Sequence, residues 1–122
     1  MSKRILVVED HEENRRILRL LLTSAGFELI EAATGEEGVA FAEAQRPDLI
    51  LMDIQLPGLD GYEATRRIKA NPALRQIPII VVTSYALSGD DVKAFEAGCD
   101  AYVTKPFNPR ELLAKIREYL PS

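Results

Sequence analysis

"PDLILMDIQLPGLDG", residues 47–61, decides how the chain is read. Leu49 to Met52 is apolar without alternation, as a strand buried on both faces is, and the run then ends on a carboxylate, Asp53. A loop punctuated by Pro57, Gly58 and Gly61 follows at once. An ionised carboxylate removed from water without a partner is costly, so the strand predicts partners for Asp53 elsewhere in the chain.

Outward from this stretch, two kinds of segment alternate. Short runs rich in β-branched residues occupy 4–9, 27–32, 48–53, 77–83 and 99–104. Helical spacing fills the gaps. Ile17, Leu18, Leu21 and Leu22 form one apolar stripe, with a stop at Ala25-Gly26. A second helix starts near Thr34 and carries Val39, Ala42 and Ala44. A third covers 61–70, and a fourth follows Ser88 and runs to Gly98. The fifth opens on Asn108 as cap with Pro109 in the first helical position, then carries Leu112, Leu113, Ile116 and Leu120. Strands alternating with helices imply an α/β fold, a parallel sheet with right-handed crossovers and helices on both faces. The continuous runs at 5–8, 49–52 and 79–82 belong at its centre, whereas "FELIEA" (27–32) alternates and belongs nearer an edge.

With 122 residues, 47% hydrophobic and 28% charged, the chain has the composition of one folded domain and not of a disordered segment. A net charge of −4 without a basic block argues against nucleic acid as a partner. No apolar run approaches the roughly 18 residues of a membrane span, and "MSKRILVVED" lacks the apolar core of a signal peptide, so a cytoplasmic protein is expected. Cys99 is the one cysteine, which excludes an internal disulfide and a cysteine metal cluster, and it reads as a small buried hydrophobe. His11, the one histidine, reads as a solvated residue at a helix start.

Open parallel sheets bind ligands outside the carboxyl ends of their strands. Those ends carry Glu9-Asp10, Asp53, Thr83-Ser84 and Lys105-Pro106. Three carboxylates facing one ammonium leave an excess of negative charge that a hard divalent cation such as Mg²⁺ would offset. An aspartate can attack a phosphoryl group, and phosphoryl transfer asks mainly for positioning and charge compensation. On this reading Glu9 and Asp10 hold the metal, Asp53 attacks, Lys105 pairs with the phosphoryl group and Thr83 hydrogen-bonds it. Singly, each residue has a plainer explanation: Asp10 as a helix cap with Glu13 three positions on, Asp53 as a turn former, Lys105 as a surface lysine and Thr83 as a strand residue. Their joint placement is what argues for a site. The first turn, "VVEDHEEN", has no glycine to cradle a pyrophosphate, and neither a P-loop nor a Ser/His/Asp arrangement occurs.

With these residues in hand, the chain resembles the receiver domain of two-component response regulators over nearly its whole length. "ILVVEDHEENRR", "PDLILMDIQLPGLDGYEATRRIK", "IPIIVVTSYA", "GCDAYVTKPF" and "NPRELLAKI" carry the resemblance. Among stand-alone receivers it resembles the cell-division (DivK-like) type more than the chemotaxis type, and it resembles receivers attached to hybrid kinases. The resemblance implies a flavodoxin-like (βα)5 fold with strand order 2-1-3-4-5, and one receiver domain over 1–122 without an output domain. It makes Asp53 the phosphoacceptor and Glu9 and Asp10 the acidic metal pair. Asp53 itself and the backbone carbonyl of Gln55 complete the ligand set for Mg²⁺, or Mn²⁺ in its place. Thr83 becomes the switch hydroxyl, Tyr102 the switch aromatic, and Thr83, Ser84 and Lys105 the phosphate-binding groups, with Lys105-Pro106 as a cis peptide. Gln55 and Tyr85 would tune dephosphorylation, a bulky Tyr85 shielding the phosphoryl group from water.

The implied partners are a histidine kinase or histidine phosphotransfer protein, docking beside Ile17 and Leu18 near Arg15 and Arg16. A downstream protein would bind the face formed by the fourth helix, fifth strand and fifth helix. Neither nucleic acid nor membrane is implied, and the chain would be a monomer or weak dimer. Its catalysis would be confined to its own phosphorylation and dephosphorylation. Two alternatives are a small Mg²⁺-dependent phosphatase-like hydrolase, which usually keeps an Asp where this chain has Gln55, and a degenerate, constitutive interaction module, although no site residue is missing.

Overall fold

Ten elements alternate along the chain: β1 (Arg4–Val8), α1 (Glu12–Ser24), β2 (Glu28–Ala32), α2 (Gly35–Gln45), β3 (Leu49–Asp53), α3 (Gly61–Ala70), β4 (Ile79–Thr83), α4 (Asp90–Ala97), β5 (Ala101–Thr104) and α5 (Pro109–Tyr119). The structure is a computed structural model that describes residues 2–83 and 90–120. Ser84 and Tyr85 therefore lie outside the described residues, as does the stretch just before α4.

The sheet is parallel throughout, in the order β2-β1-β3-β4-β5. Every residue of β3 and β4 is buried, as their unbroken apolar runs demand, whereas the edge strand β2 buries only Ala32 fully. Strand parity divides the core in two. Leu6, Val8, Ile50, Met52, Ile79 and Val81 pack on one face, with Ala42, Ala64, Ile68 and Ala94 of α2, α3 and α4 among their partners. Ile5, Val7, Leu49, Leu51, Ile80 and Val82 pack on the other, against Leu18 and Leu22 of α1 and Leu112 and Ile116 of α5.

Helix ends follow local chemistry. Gly26 stops α1 at φ +94°, a conformation that costs glycine little. Thr34 caps α2 by accepting from Glu37 N–H at 3.0 Å, and Asn108 caps α5 by accepting from Arg110 and Glu111 N–H at 2.9 and 3.3 Å. The start of α1 departs from the capping box that Asp10 and Glu13 spell: His11 occupies the cap position and makes no side-chain cap bond. Its own N–H is taken by Glu9 Oε2 at 3.1 Å, which leaves Asp10 outside the helix.

Strands are also shorter than their apolar runs. Ile77 precedes β4 because its N–H closes a turn on Leu74 O at 3.0 Å, and Cys99 precedes β5 because its N–H returns to Ala94 O at 3.2 Å. Cys99 is buried and unpaired in any disulfide, and burial raises its thiol to about 11. Among the described residues, no helix is long and apolar enough to cross a membrane.

Candidate functional site

The register brings the strand-end residues to one level. Val8 of β1 pairs with Met52 of β3, so Glu9 and Asp53, each one residue on, leave the sheet side by side. Thr83 pairs with Thr104, which puts Lys105 just beyond the same rim. The Lys105–Pro106 peptide is cis.

Glu9 is only 2% exposed, and every part of its carboxylate is engaged. Lys105 Nζ donates to Oε1 at 2.6 Å, and Asn14 Nδ2 donates to the same oxygen at 3.2 Å. Oε2 accepts the His11 backbone N–H and lies 3.3 Å from His11 Nδ1. Arg15 holds the backbone carbonyl of Glu9 from α1, at 2.7 Å. Burial works against ionising Glu9, yet the Lys105 bond, the His11 N–H and the Lys105 charge outweigh it and hold the group at about 2.

Asp53 is the opposite case. At 6% exposure it accepts Gln55 N–H on Oδ1 at 3.3 Å and faces Lys105 Nζ from Oδ2 at 3.5 Å. Burial first, and then the charge of Glu9, push it up to about 6, because Lys105 sits nearer to Glu9 than to Asp53. Such an aspartate is ionised at neutral pH but held at a cost, which any added positive charge relieves. Gly61 belongs to this geometry: a methyl group there would lie 2.1 Å from the Asp53 carbonyl oxygen, so only glycine lets α3 start against the end of β3.

Asp10 completes the acidic group. Its Oδ1 is buried, and no hydrogen bond reaches it; His11 Nδ1 stands 3.1 Å away outside hydrogen-bond geometry. Among the described residues, Glu9, Asp10 and His11 form a set whose donor atoms all lie within 4.8 Å of one another. Two carboxylates beside Asp53, one of them with an unsatisfied oxygen, suit a hard divalent cation, so the residues fit the metal that the sequence called for. Thr83 is 1% exposed at the end of β4, and Tyr102, level with Val81, packs against the apolar cluster on the α3 and α4 face.

Sequence reasoning therefore located Glu9, Asp10, Asp53, Thr83 and Lys105 at one rim, and missed three residues that support Glu9. His11, Asn14 and Arg15 reach it from the first turns of α1. Their spacing from Glu9, two, five and six positions, was the available signal: a strand that runs directly into a helix brings that helix's opening turns back over the strand end. Beside the site, Asn14, Ile17, Leu18 and Phe107 line an open groove between α1 and the start of α5.

Comparison with known proteins finds relatives of the same fold. Residues 5–117 match the family described as response regulator receiver domain. The polar-differentiation response regulator DivK of Brucella anthropi is 42% identical over 120 residues, 98% of each chain. The receiver domain of a sensor histidine kinase of Pseudomonas aeruginosa PAO1, which has a magnesium ion coordinated in its active-site cleft, superposes with a TM-score of 0.92 at 41% identity over 100% of both chains. A CheY-like receiver domain protein of Methanospirillum hungatei gives 0.90 at 40% identity, over 98% of this chain and 94% of that one.

Proposed function

This chain belongs to the response regulator receiver domain family of two-component signalling, and from that premise we propose that Asp53 is its phosphoacceptor. The observation that supports this most is the ammonium of Lys105, held 2.6 Å from Glu9 and 3.5 Å from Asp53 although those residues are 96 and 52 positions away in sequence. A cation poised between two buried carboxylates is placed to follow negative charge that arrives on either.

In the proposed reaction a phosphohistidine on a kinase or phosphotransfer protein donates the phosphoryl group. Asp53 Oδ attacks phosphorus, the P–N bond breaks, and the released imidazole nitrogen takes a proton from solvent. Lys105 pairs with the phosphoryl oxygens, the Gln55 N–H steadies the carboxylate end, and Thr83 turns its hydroxyl toward the new charge. Glu9, Asp10, Asp53 and the Gln55 carbonyl would hold Mg²⁺, which supplies charge compensation for the phosphoryl group. Movement of Thr83 vacates space that Tyr102 fills, so phosphorylation biases two packings of the β4–β5 edge. Ser84 would add a donor to the phosphate, and Gln55 and Tyr85 would set how fast water removes it. A phosphorylated lifetime of seconds, unchanged in Tyr85→Ala, would refute that role for Tyr85.

The donor protein docks on α1 in this reading, but through a different pair than the sequence suggests. Leu18 is core at 4% exposure, whereas Ile17 and Leu20 are 56% and 61% exposed, and Ile17 lines the groove. Output would run through the α4, β5 and α5 face, where Val92 and Phe95 are more than half exposed, with the chain a cytoplasmic monomer or weak dimer. A phosphatase-like hydrolase is less well supported because the residue two past Asp53 is Gln55.

The test is phosphorylation by a small phosphoramidate with Mg²⁺, read by intact mass. Wild type should gain one phosphoryl group, and Asp53→Ala and chelator-treated protein should gain none. A gain that persists in Asp53→Ala would overturn the assignment.

A further inference from the structure

The part of the site that its proposed chemistry leaves unused is the imidazole of His11. It is 68% exposed, open to an entering ion, and its Nδ1 lies 3.1 Å from Asp10 Oδ1 and 3.3 Å from Glu9 Oε2. Two donors on adjacent positions around an ion about 2.1 Å away are about 3.0 Å apart in an octahedron and about 3.4 Å apart in a tetrahedron. The two separations fall in that interval, and the buried Asp10 Oδ1 has no hydrogen bond to give up when it takes an ion. Glu9 divides its oxygens: Oε1 goes to Lys105 and Asn14, while Oε2 accepts the His11 backbone N–H and faces the imidazole with its remaining lone pair.

From this arrangement we infer that His11 is a metal-selectivity residue, giving the acidic site a nitrogen ligand through which it holds Ni²⁺, Zn²⁺ or Cu²⁺ in preference to Mg²⁺. Imidazole suits these borderline metals, whereas Mg²⁺ favours oxygen and keeps its waters. With carboxylates alone the site is tuned to hard ions; with His11 beside them it takes a second class of cation at the same place. A borderline metal held there would compete with Mg²⁺ for Asp10 and Glu9, so the phosphorylation of this receiver would respond to transition-metal availability. The inference rests on the acidic metal site of the proposed function and adds a residue to it.

The chain contains a single histidine, so any imidazole signal from tag-free protein comes from His11. Calorimetric titration of the full chain with Ni²⁺ and with Mg²⁺ should show the ratio of the two affinities falling about tenfold or more in His11→Ala. Electron paramagnetic resonance of wild type loaded with one equivalent of Cu²⁺ should show coupling to one imidazole nitrogen, a readout that does not depend on the folding of a variant. Mg²⁺ binding with an unchanged ratio, or Cu²⁺ bound without nitrogen coupling, overturns the role of His11 and leaves the acidic site standing. Failure of wild type to bind Mg²⁺ at all overturns the acidic site itself.

Discussion

Asp53 and Glu9 stand side by side, and the fold treats them in opposite ways. Burial and the neighbouring charge raise Asp53 from 3.8 to about 6, so its contribution to stability is fully present below 3.8 and is lost as the pH rises through 6. Glu9 is lowered from 4.5 to about 2 by Lys105 and the His11 N–H against its own burial. Its contribution is present above 4.5 and is lost as the pH falls through 2. In chelator, with no ion to relieve Asp53, Asp53→Asn should stabilise the protein by roughly 1–3 kcal/mol at neutral pH in urea unfolding. The gain should shrink on acidification and vanish below 3.8. A gain independent of pH would show that the cost of ionised Asp53 is not its cause. That a strand-end aspartate had partners was legible in the sequence. How one lysine divides itself between two carboxylates was not, because the division rests on a difference between 2.6 and 3.5 Å.

At the scale of elements, helix ends separate what is local from what is not. The start of α5 was readable from Asn108 and Pro109, since the cap needs only atoms two and three residues away. The start of α1 was misleading: Asp10 and Glu13 have capping-box spacing, but Glu9, fixed by the end of β1, takes the N–H of the cap residue and displaces that arrangement. The end of α2 carries Arg46 at φ +45°, where a side chain crowds the backbone. Arg46→Gly should therefore stabilise the protein by about 0.5 to 1 kcal/mol, the relief of strain exceeding the extra freedom of glycine in the unfolded chain. Thermal unfolding measures this, and a destabilised variant would refute it. Periodicity put Ile17 and Leu18 in one stripe and did not separate them: α1 turns Leu18 and Leu22 to the core and leaves Ile17 exposed.

Across the whole molecule, distant segments are tied by a few polar groups. Lys69 at the end of α3 donates to Arg75 O, Ile77 O and Asp100 Oδ2 at 2.9, 2.8 and 2.9 Å, and Asp100 Oδ2 also accepts the Ile79 N–H that opens β4. One lysine thus joins α3, the turn before β4 and the entry to β5. Lys69→Met keeps most of the stem but strands these acceptors, and should cost about 1–3 kcal/mol while speeding hydrogen exchange at the Ile79 amide. Exchange at Ile79 that matches wild type would show that the tie is unimportant. Composition, turn residues and apolar spacing by themselves determined the alternation of five strands and five helices, the central place of 49–53, and the charged residues at the ends of β1, β3 and β5. These are local properties, set by whether neighbours along the chain fit one pleat or one helical turn. Strand order came from the family resemblance, because alternation does not say which strands pair. Only the tertiary structure decided which face of α1 is exposed, how Lys105 is shared, and that His11 meets Glu9 and Asp10 at ligand spacing. Each of those outcomes is governed by sheet register and by helix packing on both faces, and local sequence carries no measure of either.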